Sequence, residues 1–252
     1  MDLALRRSAS GAASQQRPAA LAWSVIVPVH NEIGVLRASV ERLLEEFRQR
    51  GASFELILCE NGSTDGTAAL ADALAREHPE IRTEHLPTPN YGVALRHAMT
   101  ICRAETVMLF NVDFWNMAFV QEALRRLTEA DLVIGSKALP ASRDERPRIR
   151  RLITRRFNQL LRWVFRFRGT DTHGMKVFRR APVEPLIARC VTDHFIFDTE
   201  LVLRAQRQGL RIVEIPVFIR ELRQPSYRSL ARRSPQVVWN LAKLWVALRR
   251  QE

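Results

Sequence analysis

The chain has 252 residues, 46% hydrophobic and 26% charged, an ordinary globular balance that fits one large α/β domain with a well-buried core, or at most two small ones. The net charge of +12 calls for an anionic partner: nucleic acid, a phosphate-bearing substrate or an anionic membrane surface. No stretch reaches the roughly 18–20 apolar residues of a membrane span, and the three widely spaced cysteines, Cys59, Cys102 and Cys190, argue against a metal or redox centre and for buried free thiols.

Residues 1–20 are rich in Ala, Ser, Arg and Gln and lack the apolar core of a signal peptide. A disordered tail on a cytoplasmic protein is expected, lying peripherally at the inner face of the membrane. The main domain is expected over 21–222, with a basic amphipathic helix over 223–252. Residues 22–29 read as a buried strand. Residues 33–50 carry Val35, Val40, Leu43, Leu44 and Phe47 at helical spacing and stop at Gly51. A strand over 54–59 follows, then a helix over 66–77 that Thr64 or Asp65 can cap. A third strand (81–86), a helix (92–103), a very apolar fourth strand (106–110), a helix (117–127) and a fifth strand (131–135) continue the alternation. This order predicts a doubly wound, mostly parallel sheet flanked by helices. Residues 139–148 read as a mobile loop, and 149–168 as a basic helix with an apolar stripe of Ile153, Phe157, Leu160, Leu161 and Val164. Gly174 to Phe178 returns to strand character, 198–208 is helical and 211–218 is a strand. The last 20 residues place Val237, Leu241, Leu244, Trp245 and Leu248 on one helix face.

The charge is localised. Residues 142–168 hold ten Arg against Asp144 and Glu145, a net of +8, and residues 220–250 a net of +7, which leaves −3 for the rest of the chain. Both stretches are amphipathic, with Arg and Lys beside Phe, Trp and Leu. They suit an anionic bilayer, or packing on the domain or on a partner subunit in a homo-oligomer. No RNA- or DNA-binding motif accompanies them, so nucleic acid is not the expected partner.

Three signatures in the first half carry the chemistry: Ser24–Glu32, Glu60–Thr67 and Asn111-Val112-Asp113. Each stands where an apolar strand runs into polar residues, the place where a parallel α/β sheet binds its ligand. Glu60 and Asn61 end a strand, and Gly62-Ser63 turn the chain into a helix whose N-terminus suits phosphate. Asn111 and Asp113, at i and i+2, can converge on a divalent cation such as Mg²⁺ or Mn²⁺, which takes oxygen ligands and shares them with substrate phosphates. Taken alone, Glu60–Thr67 reads as an ordinary βα turn with a capping Asp, and Asn111–Asp113 can be a strand-ending Asx turn.

In order, these motifs resemble glycosyltransferase family 2 with the GT-A fold, and within it the polyprenyl-phosphate (dolichyl-phosphate) mannosyl- and glucosyltransferases. Ser24–Glu32 resembles the opening strand and its Pro-x-x-Asn-Glu turn. Glu60–Thr67 resembles Asp-Asp-Gly-Ser-x-Asp-Gly-Thr, and Asn111-Val112-Asp113 stands where the family has Asp-x-Asp. Gly135-Ser136-Lys137 resembles a Gly-Ser-Arg, and Arg151–Thr154 an Arg-x-x-Ser that holds an acceptor phosphate. Asp171–Phe178 is similar to Asp-x-x-x-Gly-Phe-Lys-Leu-Phe, and Arg223–Arg228 is a loose form of a late Arg…Ser-Lys motif.

The resemblance implies an inverting transfer from a nucleotide-diphosphate sugar, with Pro28, Asn31, Glu32, Glu60, Asn61, Asp113 and Arg223 around the donor. Asp113 and Asn111 would hold a divalent metal. Lys137, Arg151, Thr154 and Arg155 would hold an acceptor phosphate, and Asp113, Asp171, Lys137 and Arg151 would carry the chemistry. A lipid-phosphate acceptor needs no general base. A hydroxyl acceptor in cell-envelope glycan synthesis would need one, with Asp171, Asp198 and Glu200 as candidates. Glu60-Asn61 in place of Asp-Asp, and Asn111 in place of the first Asp of Asp-x-Asp, also leave open a binding or scaffold relative that does not turn over.

Overall fold

The computed structural model describes residues 21–194, 196–219 and 227–249. The tail expected over 1–20 and Arg223, expected beside the donor, lie outside the described residues. Strand β1 (Trp23–Val29) pairs in parallel with β2 (Phe54–Asn61) on one side and with β4 (Thr106–Leu109) on the other. Every residue of β2 is buried, as befits a parallel strand covered on both faces. Helix α1 (Leu36–Arg48) buries Leu36, Val40, Leu43, Leu44 and Phe47, a single stripe of the helical repeat. Helix α2 (Thr67–Glu77) leads to β3 (Ile81–Leu86), and α3 (Tyr91–Ile101) to β4. Helix α4 (Met117–Arg126) precedes β5 (Leu132–Ser136). Side chains cap two of these helices: Asn90 Oδ1 accepts from Val93 N at 3.1 Å, and Asn116 Oδ1 from Phe119 N at 3.0 Å. At α2, Asp65 Oδ1 accepts from Thr67 N at 3.0 Å.

The second half departs from the simple alternation. The stretch expected as a mobile loop carries β6 (Arg143–Asp144), tied in parallel to β9 (Phe218–Ile219). Helix α5 (Arg148–Phe165) leads to β7 (Lys176–Arg179), and α6 (Arg180–Arg189) follows at once. Helix α7 (Ile196–Arg207), β8 (Ile212–Pro216) and α8 (Tyr227–Arg249) complete the order. The seven-stranded sheet runs β3-β2-β1-β4-β7-β5-β8, with β7 antiparallel to both neighbours and every other pair parallel. This is the expected doubly wound, mostly parallel sheet.

The two-residue period of the strands divides the core. Ile26, Ile57, Val107, Leu109, Ile134 and Phe178 face a cluster shared with α3, α6, α7 and the ends of α5 and α8. Val25, Val27, Leu56, Leu58, Met108 and Val177 face a cluster with α1, α2 and α4. The three cysteines are free and buried; burial pushes the Cys59 and Cys102 thiols up to about 12.

Two amphipathic readings need correction. In α5 the inward edge is Phe157, Asn158, Leu161 and Phe165, whereas Ile153, Leu160 and Val164 are exposed. The apolar surface of this helix is wider than one contact face. It is turned roughly a quarter-turn from the expected stripe, at 100° per residue, so that Asn158 Nδ2 reaches Thr170 O at 2.5 Å and Phe157 meets His173. In α8, Val237, Leu241, Leu244 and Leu248 pack inward as expected, but Trp245 lies outside with Arg249 stacked 3.7 Å from its ring centroid.

Candidate active site

The register gathers the signatures at one sheet edge. Val29 pairs with Glu60, and Ile26 with Leu109. Lys176, the first residue of antiparallel β7, stands between Leu109 and Ile134. The residues that follow β1, β2, β4 and β5, and those that precede β7, therefore meet beyond the carboxyl ends of the parallel strands. A close approach holds this edge together: Gly135 N donates to Met175 O at 2.9 Å, and a Cβ on Gly174 would lie 1.8 Å from Gly135 O. Only glycine fits at 174.

Beyond β1 and β2, two turns are stitched into one wall. Pro28, which has no N–H, lies past the last β1–β4 pair. Asn31 adopts φ +56°. Its N–H donates to Ser63 Oγ at 3.0 Å, and its Oδ1 accepts from Thr64 N at 2.9 Å. Glu32 N donates to Thr67 Oγ1 at 2.8 Å, and Asn61 Nδ2 donates to Val29 O at 2.9 Å. Glu60 accepts from Ser63 N through one oxygen and faces His85 through the other. Burial pushes its carboxyl up, but the Ser63 and His85 hydrogen bonds outweigh burial and hold it below the usual range. The side chains of Asn31, Glu60 and Asn61 therefore hold the two turns together.

Asn111 and Asp113 stand exposed on either side of buried Val112. Phe114 N returns to Asn111 O at 3.2 Å and closes the turn. Among the described residues no three His, Cys, Asp or Glu side chains gather into a metal cage. One carboxylate and one amide at a strand end fit a hard divalent cation that draws its remaining oxygens from phosphates and water. With a neutral amide as partner, such a pair would bind a cation more weakly than two carboxylates.

Beyond β5 and just before β7 lies a buried charge network. Lys137 Nζ lies 2.5 Å from Asp171 Oδ2, with both side chains almost wholly buried. The same carboxylate accepts from Lys137 N at 3.2 Å and from His173 N at 3.1 Å. Burial pushes the Asp171 carboxyl up, and Lys137 pulls it down further, to about 2. Burial lowers Lys137 from its usual range, against the pull of Asp171. Arg146, which the sequence reading missed, is buried beside them, held by both oxygens of Asp144 at 2.9 and 2.8 Å and reaching Thr154 Oγ1 at 3.4 Å. Thr154 thus joins the cluster through Arg146. On the same stretch of helix Arg151 is half-buried and Arg155 exposed.

Lys176, also missed, is fully buried and pairs with Asp198 at 2.6 Å. Its signal was a lone lysine inside an apolar strand. Tyr91 shares Asp198, and burial together with that carboxylate pushes its phenol well up. Glu200 is buried and accepts from Val191 N, Thr192 N, Thr192 Oγ1 and Arg204 Nε at 2.6–3.0 Å. His173 packs on the Phe157 ring, and burial lowers its pKa.

Residues 24–187 match the family described as Glycosyl transferase family 2. Glycosyltransferase AglD of Haloferax volcanii is 35% identical over 221 residues, covering 82% of this chain and 35% of AglD. The dolichyl-phosphate beta-glucosyltransferase ALG5C of Trichomonas vaginalis is 24% identical over 221 residues, covering 81% of this chain and 66% of that protein. The chain thus spans about a third of the first relative and just under two thirds of the second. Glucosyl-3-phosphoglycerate synthase from Mycobacterium tuberculosis, in complex with Mn²⁺, UDP and phosphoglyceric acid, superposes with a TM-score of 0.69 at 22% identity, covering 89% of this chain and 78% of that one. Mannosyltransferase PcManGT from Pyrobaculum calidifontis, in complex with GDP-Man and Mn²⁺, gives 0.63 at 20% identity, covering 88% and 63%. At these identities the likeness shows a GT-A-like fold. With the family match spanning more than half of its length, the chain belongs to glycosyl transferase family 2.

Proposed function

We propose that this chain moves a sugar, with inversion, from a nucleotide-diphosphate sugar to a polyprenyl phosphate at an anionic membrane surface. The observation that carries the acceptor choice is the state of the three carboxylates able to serve a hydroxyl acceptor as base. Asp171 is held by Lys137 and two backbone N–H groups, Asp198 by Lys176 and Tyr91, and Glu200 by four donors. A carboxylate whose oxygens are already engaged by such donors is poorly placed to take a proton from a hydroxyl. A phosphate monoester brings its own negative charge and needs no base. The dolichyl-phosphate glucosyltransferases among the relatives support the same acceptor class.

In the proposed step an acceptor phosphate oxygen attacks the anomeric carbon. The bond from that carbon to the diphosphate oxygen breaks, and the leaving nucleoside diphosphate takes the electron pair. The turns bearing Pro28, Asn31, Glu32, Glu60 and Asn61 position the nucleotide, with Arg223 as a further donor contact. Lys137 and Arg146, with Arg151, Thr154 and Arg155 from α5, attract and orient the acceptor phosphate. A divalent cation held by Asp113 and Asn111 would offset charge on the departing diphosphate; the Mn²⁺ in two solved neighbours supports this assignment.

The outer face of α5 supports the membrane location. It exposes Ile149, Leu152, Ile153, Leu160, Val164 and Trp163, the last 92% exposed, on a helix with six Arg and no acidic residue. Such a face lies in an anionic interface with its arginines reaching the headgroups. Among the described residues no helix is long and apolar enough to cross a membrane.

A thermal-shift panel with UDP, GDP, TDP and CMP, each with and without Mn²⁺, tests the donor site. A ligand that binds only the native state raises Tm by mass action. The reading predicts a shift for one nucleotide diphosphate, larger with Mn²⁺. No shift in a well-folded sample would overturn it and favour a scaffold.

A further inference from the structure

Both ring nitrogens of His85 face a carboxylate oxygen: Nδ1 meets Glu60 Oε2 at 3.2 Å, and Nε2 meets Asp72 Oδ1 at 2.8 Å. An ionised carboxylate only accepts hydrogen bonds, and a neutral imidazole carries one N–H. Both contacts are satisfied together only by the imidazolium. A neutral ring would turn a lone pair toward one of the two carboxylates.

The placement is set from three elements. Glu60 on β2 pairs directly with His85 on β3 in the sheet register. Asp72 comes from α2 and is itself fixed by Thr83 Oγ1 at 3.1 Å. The charged groups facing the ring are Glu60 and Asp72, and Arg76, one turn along α2, acts in turn on Asp72. Glu60 leads from this cluster to the donor wall. Its other oxygen accepts from Ser63 N, and Ser63 Oγ accepts from Asn31 N. Gly62, at φ +69°, backs directly onto Pro89, where a Cβ would lie 2.9 Å from the ring. The turn is blocked on that side, and Glu60, with Asn31, holds it from the others.

We propose that His85 is a positioning residue of the donor site: as an imidazolium it orients Glu60, Glu60 fixes the Ser63–Thr64 turn, and nucleotide-diphosphate affinity falls when His85 loses its proton. The proposal rests on the donor reading above. Electrostatics agree in sign. The Asp72 hydrogen bond raises the His85 pKa above its ordinary 6.5 against the opposing effect of burial, with Glu60 adding to the rise. The contribution is therefore complete below about 6.5 and is lost as pH rises through the raised value. The His85 and Asp72 side chains are 39% and 44% exposed, so solvent and salt screen the pair and the effect is modest.

The test is an NMR titration of the full chain, following the His85 ring and the Ser63 amide, beside the Kd of whichever nucleotide diphosphate the panel selects. His85 is expected to titrate above 6.5, the Ser63 amide to follow the same curve, and Kd to rise roughly two- to fivefold across it. Asp72→Asn is expected to move both curves to lower pH, and His85→Gln to flatten the pH dependence of Kd. His85 titrating at or below 6.5, a Ser63 amide indifferent to it, or a Kd that does not follow would each overturn the proposal. If no nucleotide binds the wild-type chain, the donor reading fails, and the Ser63 curve alone decides whether His85 positions the turn.

Discussion

Single residues at the sheet edge carry more than their chemistry. The backbone of residue 174 touches that of 135 so closely that a methyl group at 174 would fall 1.8 Å from a carbonyl oxygen. Gly174→Ala is expected to cost more than about 3 kcal/mol, seen as a lowered urea midpoint or as insoluble protein; near-wild-type stability would refute the close approach. Asp171 carries a second test. Its folded value of about 2 lies below the ordinary 3.8. Its stabilisation is therefore present above about 3.8 and is lost as pH falls through about 2. Asp171→Asn leaves Lys137 buried without its counter-charge and should cost roughly 3–5 kcal/mol in urea unfolding, most of it recovered by pairing the change with Lys137→Met. Asn111→Asp restores a second carboxylate beside Asp113 and should tighten Mn²⁺-dependent nucleotide binding, read as a larger Mn²⁺-induced Tm shift. Much of this scale was legible in the sequence, because Glu60, Asn61, Asn111 and Asp113 stand where apolar runs stop. The partners were not. That Asn31, Glu60 and Asn61 spend their side chains on neighbouring turns, or that Lys176 meets Asp198, depends on contacts between segments far apart in the chain.

Among the elements, the first five strands and four helices follow the sequence pattern within a few residues, because each is a simple buried run or a single apolar stripe. The second half resists such reading for identifiable reasons. Strand β7 is short, and nothing in Lys176–Arg179 reveals that it inserts antiparallel between β4 and β5. Helix α6 carries Pro182 in its first turn and Pro185 inside, where proline argues against a helix. Helix α5 has apolar residues around most of its girth, so periodicity alone cannot choose the inward face; Asn158 and Phe157 choose it by what they contact. Its exposed face makes a prediction. Trp163→Ser should weaken binding to vesicles containing anionic lipid by about tenfold or more, as expected for losing one buried aromatic, with nucleotide binding unchanged. Unchanged vesicle binding would place the membrane contact elsewhere.

At the scale of the whole molecule, the acidic remainder of the chain holds the donor signatures, and the basic stretches hold α5 and α8. In the proposed reaction a donor diphosphate would meet the turns and the strand end, and an acceptor phosphate Lys137, Arg146 and the arginines of α5. This division would suit the proposed two-substrate enzyme at an anionic surface. The most direct test is sugar transfer in anionic vesicles, offering the selected nucleotide-diphosphate sugar to a polyprenyl phosphate and, in parallel, to the unphosphorylated polyprenol. The account predicts a glycosylated lipid from the phosphate and none from the alcohol. Transfer to the alcohol, or no transfer to either by a chain that binds the nucleotide, would contradict it.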